Sequence, residues 1–139
     1  MRFFSIIICS LIFFAQPVSA KNLSSLKVSF VEPEKLNSFC GVSSEYDPIR
    51  ACYLWGKGQI FIRSDIPLSL LPFSFFHEIG HFLMEGVPLS EYGSLFKIAP
   101  EVQQNSFIIE FAADRFALWA LGAKVSKAQE DFFLRLLTE

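Results

Sequence analysis

His77-Glu78-Ile79-Gly80-His81 contains both histidines of the chain, and its reading decides what the remaining residues must build. On a helix, His77 and His81 stand one turn apart and project from the same face. Two imidazoles at that spacing can hold one Zn²⁺, with the Glu78 carboxylate beside a water in the open coordination position. The metal polarises a scissile carbonyl and acidifies the water. The glutamate takes the proton and passes it to the leaving amine. The flanking residues supply the helix: Pro72 suits a first turn, and Gly86 with Pro88 ends the run, so a helix is expected over Pro72 to Glu85. Gly80 inside it costs about 1 kcal/mol of propensity, which makes sense if another backbone passes close to the metal face.

The motif alone is not specific, and two histidines leave a tetrahedral zinc one protein ligand short. A second long helix is expected from Glu101 to Leu121, with Pro100 near its start and Gly122 at its end. Phe107, Glu110, Phe111, Asp114, Leu118 and Leu121 share one face of it. A pair of carboxylates on an apolar face needs compensation, because burying an unpaired charge is costly. Glu110 is therefore assigned as the third metal ligand. Asp114, one turn on, would accept a hydrogen bond from the outer ring nitrogen of His77. The competing reading pairs both acids with Arg115, Arg63 or Arg50. Glu85 lies two turns from His77 and cannot reach a shared metal, while Glu91 and Glu101 have no apolar face around them. The metzincin pattern would need Gly at Met84 and His at Val87, and has neither.

Outward from these helices the signals are shorter. Val28 to Val31 reads as a strand inside a mixed stretch, Lys21 to Leu36, and Ser38 to Pro48 reads as a loop. Ala51 to Trp55, the turn Gly56-Lys57-Gly58 and the alternating Gln59 to Arg63 form a hairpin signal, with Ile60 and Ile62 on one side. Ser90 to Ala99 is expected to be a connecting loop. Ser126 caps a last helix to Leu137, with Gln129 as its capping-box partner.

The first twenty residues are read as a signal peptide. Arg2 gives a positive start, Phe3 to Ala15 is almost wholly apolar, and Val18-Ser19-Ala20 is a small-residue cleavage site. The apolar run is too short to span a bilayer, so no stable membrane insertion is expected after cleavage. Residues 21–139 then form a single domain. Without Arg2 that domain has 11 basic and 14 acidic side chains and no basic run, which argues against a nucleic-acid partner. Its two cysteines, Cys40 and Cys52, suit a disulfide in an oxidising compartment, the periplasm or the exterior. The bridge would contribute about 3 kcal/mol. Use of either as a metal ligand, as in peptide deformylases, fails for want of that family's sequence context.

His77-Glu78-Ile79-Gly80-His81 followed by Glu110-Phe111-Ala112-Ala113-Asp114 resembles the two metal-binding helices of gluzincin metallopeptidases. Glu110-Phe111-Ala112-Ala113-Asp114-Arg115-Phe116-Ala117 is similar to the glutamate helix of the ImmA/IrrE-type branch, and the short chain resembles minimal gluzincins. The resemblance covers Gln59 to Leu121. It implies an α+β, zincin-like fold: a small antiparallel or mixed sheet, an active-site helix and a glutamate helix. It also implies an edge strand that pairs with extended substrate, for which Gln59 to Arg63 is the candidate. The intracellular repressor-cleaving role of the ImmA/IrrE branch does not fit a chain with an export signal.

Gluzincins commonly use a Tyr or His to hold the oxyanion, and no third histidine exists. Tyr92 is the candidate for that role, with Tyr53 behind it. Phe73, Phe75, Phe76 and Phe82 are expected to seal the metal helix against the sheet, and Trp55 and Trp119 to be packing residues. The expected function is exported, zinc-dependent hydrolysis of peptide bonds by a monomer with one zinc per chain, acting on a peptide or protein substrate. The alternative is a zinc-binding module without turnover, regulatory or inhibitor-like.

Overall fold

The computed structural model describes residues 21–41, 48–96 and 105–138. The stretch read as a signal peptide, the middle of the Ser38 to Pro48 stretch, the end of the Ser90 to Ala99 stretch and the expected start of the second long helix lie outside them. Within them the chain is α+β. After a single 3-10 turn (Leu23–Ser25) the order is β1 (Lys27–Val31), α1 (Pro33–Cys40), β2 (Ala51–Leu54) and β3 (Gln59–Arg63). Among the described residues the order continues with α2 (Leu71–Met84), α3 (Leu89–Leu95), α4 (Asn105–Ala120) and α5 (Lys127–Thr138).

The hairpin forms as its alternation indicates, with Ile60 and Ile62 fully buried. Its place in the sheet is different from the expectation. β1 pairs in parallel with β3, so the order is β1-β3-β2 and Gln59–Arg63 is the central strand. The edge is β2. Arg63 N donates to Arg50 O at 2.9 Å, and antiparallel pairs alternate between bonded and non-bonded. Cys52 and Leu54 therefore bond to β3, whereas Ala51 and Tyr53 turn their backbone N–H and C=O away from the sheet.

The two faces of the sheet are covered differently because side chains alternate along a strand. Ala51, Tyr53, Ile60 and Ile62 face the core with Phe82 and Leu83 of α2 and Phe116 of α4. On the other face Phe61 stacks on Phe39 of α1 with ring centroids 4.4 Å apart. Cys40 at the end of α1 is disulfide-bonded to Cys52 of β2, closing the expected bridge over a separation of 12 residues.

Two helices extend into stretches read as loop. α1 extends to Cys40, started by Pro33 and anchored by Leu36, which is fully buried. α3 takes up Leu89–Leu95 within the Ser90 to Ala99 stretch, and buries Tyr92. Both are one or two turns long, so tertiary burial rather than intrinsic propensity holds them. α5 packs through Phe132 and Phe133. The Ser126 hydroxyl accepts from Gln129 N at 3.3 Å, but the Gln129 side chain reaches Leu95 O and Arg115 instead of closing a capping box.

Candidate metal centre

α2 and α4 cross at Gly80. A Cβ added there would lie 3.2 Å from the Cα of Ala113 and 3.3 Å from a ring carbon of Phe116. The missing side chain lets the two helices approach backbone to backbone, which is the close passage that the glycine implied. The approach sets the histidines of α2 against the carboxylates of α4.

The donor atoms converge. His77 Nε2 lies 3.0 Å from His81 Nε2. Glu110 Oε2 lies 3.1 Å from His77 Nε2, and Glu110 Oε1 lies 3.3 Å from His81 Nε2. Ligands about 2.0–2.1 Å from a tetrahedral zinc are about 3.3 Å from one another, so the spacing suits one ion. One donor from each of the three residues falls within 4.8 Å of the other two, and the group could hold a metal ion. The outer nitrogen of His77, Nδ1, pairs with Asp114 Oδ1 at 2.8 Å. The Nδ1 of His81 is buried without a hydrogen-bond partner among the described residues.

The expected reason for the carboxylates does not hold. The buried stripe of α4 is Ile108, Ala112, Ala113, Phe116 and Ala117, not the face carrying Phe107, Leu118 and Leu121, which are exposed. Glu110 and Asp114 sit at the flank of that stripe, with side chains 59 % and 50 % exposed. They open onto a cleft rather than into a core. Two of the three arginines considered as partners are engaged elsewhere: Arg63 with Asp65 at 2.7 Å, and Arg115 with Gln129 at 3.4 Å.

Glu78 is the carboxylate that is buried, at 7 % exposure. Burial pushes its pKa above the usual range, against the opposing pull of His81 and His77 and of the Tyr53 backbone amide that faces it. Hydrogen bonds from His77 and His81 hold the Glu110 carboxyl far below the usual range, outweighing its partial burial. Burial lowers the pKa of His77, but Glu110, Glu78 and Asp114 together raise it above 6.5.

A cleft of about 580 Å³ opens over these groups. One wall is β2 with its flanking residues, Pro48 to Tyr53 and Trp55; the other carries Phe73, Ser74 and the metal-site residues. Phe73 stands 6.2 Å from the His77 ring and Trp55 6.0 Å from the His81 ring. Trp55 is 48 % exposed, so it belongs to the cleft and not, as expected, to the core. Trp119 does pack, against Phe116 and Phe133.

Neither tyrosine has a hydroxyl directed at the metal group. Tyr92 is 1 % exposed, does not line the cleft, and donates to Met84 O at 2.9 Å. Burial raises its pKa. Tyr53 lines the cleft but donates its hydroxyl to the Glu85 carboxylate. What the sequence reading missed is Glu85 itself, which accepts from Tyr53 and from Gly56 N at 3.1 Å. Its only sequence signal is an acid placed at the end of a helix, where its charge opposes the helix dipole. Among the described residues no helix is long and apolar enough to cross a membrane. No protein-family model, no curated protein and no solved structure matches this chain.

Proposed function

We propose that the chain is an exported zinc metallopeptidase of the gluzincin type, with a minimal zincin-like fold. The observation that carries this reading is the convergence of His77 Nε2, His81 Nε2 and a Glu110 oxygen beside the buried Glu78 at the floor of a cleft. A structural zinc site is closed by four protein ligands, whereas three ligands leave the position that hydrolysis needs. When bound there, zinc would polarise a carbonyl and acidify a water.

This chain's own residues do the rest. Asp114 orients His77 and fixes which nitrogen faces the ion. Glu78, with its raised pKa, accepts the proton of the attacking water and returns it to the departing amine. The outward backbone groups of Ala51 and the outward carbonyl of Tyr53 suit an extended peptide, which would add to β2 as a further strand. The disulfide and the apolar amino terminus support export. An acidic, unclustered charge pattern supports a peptide rather than a nucleic-acid partner, and we expect a monomer.

The test is zinc content and peptide-library hydrolysis of residues 21–139 beside Glu78→Gln and Glu110→Ala. One zinc per chain with turnover in the wild type, zinc without turnover in Glu78→Gln, and neither in Glu110→Ala is the expected result. Retained hydrolysis in Glu78→Gln would remove the general-base role. Zinc without turnover in the wild type would leave the non-catalytic zinc module.

A further inference from the structure

We propose that Glu85 is a positioning residue that ties the substrate-binding edge strand to the metal helix through Tyr53 and Gly56. The proposal rests on the peptidase reading and assigns a part of the machinery that the zinc ligands do not explain.

The need arises from the sheet. β2 has four residues and pairs on one side only, with β3. Hydrogen bonds of that ladder fix β2 within the sheet but say nothing of its distance from α2. A peptide lying between Ala51/Tyr53 and the metal pair requires that distance to stay constant. A shift of about 1 Å in such a geometry can lower rates by about a hundredfold.

Glu85 stands where the two walls can be joined. Its backbone amide donates to His81 O at 3.0 Å, closing the last turn of α2 on the carbonyl of a proposed metal ligand. Its carboxylate reaches across to β2 and its turn, accepting from the Tyr53 hydroxyl and from Gly56 N. Lys21 completes the junction: its ammonium lies 3.9 Å from the same carboxylate and donates to Phe82 O at 2.8 Å, a carbonyl near the open end of α2. One residue thus bonds to the turn of His81 and to the strand whose Tyr53 amide faces Glu78. Partial burial works against the charge of Glu85, yet these bonds hold its pKa below 4.5. The opposite tie, Cys52 to Cys40, runs to α1 and leaves α2 untouched.

A merely structural residue would lower stability alone. A positioning residue acts on substrate binding while the metal stays. The experiment measures zinc content, KM and kcat on a cleaved peptide, and amide hydrogen exchange of β2, for wild type, E85A, E85Q, Y53F and E85A/Y53F. We expect one zinc per chain throughout, KM raised about tenfold in E85A and somewhat less in Y53F, and the double variant no worse than E85A, since the Tyr53 bond is already lost there. E85Q keeps an acceptor oxygen and should recover most of the wild-type KM. Exchange at Cys52 and Leu54, the β2 residues that bond to β3, should quicken in E85A and not in E85Q.

Wild-type KM in E85A and Y53F would overturn the proposal, as would additive effects in the double variant or loss of zinc in parallel with activity. Unchanged β2 exchange in E85A overturns the brace whether or not the protein is a peptidase. A wild type that holds no zinc and cleaves nothing overturns the peptidase reading instead, and with it the substrate role of the strand.

Discussion

His77 and Asp114 are joined through Nδ1 and Oδ1 at 2.8 Å across the α2–α4 interface. The bond takes the outer nitrogen of the imidazole and leaves Nε2 for the face where His81 and Glu110 converge. Outer partners of this kind usually contribute about 10–100-fold to metal affinity. Asp114→Asn should therefore bind zinc more weakly by about that factor without losing it, as read by competition with a chelator. Affinity equal to wild type would show that the ring is held by packing alone.

Gly80 and Ala113 make the second prediction. Ala at position 80 would gain about 1 kcal/mol of helix propensity. The added carbon would meet the Cα of Ala113 at 3.2 Å, and backbone yields less readily than a side-chain end. Overpacking of this kind costs about 1–3 kcal/mol. Gly80→Ala should lose about 1 kcal/mol net in denaturant unfolding and should weaken zinc binding, because α2 and α4 are pushed apart at the site. A stabilised variant would mean that the helices separate freely.

Proton competition makes the third. The pKa of His77 in the metal-free protein lies above 6.5, so protons oppose zinc from that higher value downward. Apparent zinc affinity should begin to fall above pH 6.5 on acidification. The stability of the metal-free protein should run the other way. A folded-state pKa raised above the unfolded one adds stability that is present below 6.5 and lost as pH rises through the folded value. Chelator competition and thermal unfolding of zinc-free protein, each across that range, check the two slopes.

Removing the Cys40–Cys52 bridge should lower stability by about 3 kcal/mol, roughly 10 °C in Tm, since it closes a loop of about a dozen residues. The metal group lies on α2 and α4, so the Cys40→Ser/Cys52→Ser protein should keep its zinc while folded. Loss of zinc below the unfolding transition would show that α1 supports the metal helices.

Local patterns were legible without the fold. The i, i+4 histidines lie on a helix bounded by Pro72 and Gly86, and the alternation of Gln59 to Arg63 marks a strand. Glu110 and Asp114, four apart, marked the partner helix, and Cys40 with Cys52 marked the bridge. Each depends on periodicity or composition within a short stretch, which backbone geometry alone converts into structure.

Only the tertiary structure decided the rest, because the deciding contacts are distant in sequence. α4 carries apolar residues around much of its surface. Its own period could not choose between Phe107, Leu118, Leu121 and Ile108, Ala112, Phe116 as the buried stripe, and the approach of α2 at Gly80 made that choice. The alternation of β3 says that one side is buried but not how many neighbours it has. The parallel pairing of β1, across α1 and β2, moved it to the centre and left β2 at the cleft. Tyr92 and Tyr53 are alike as residue types; the core claimed one and Glu85 the other. The chemistry at the site was written in helical spacing, whereas the wall that faces it was set by pairing and packing that no local pattern encodes.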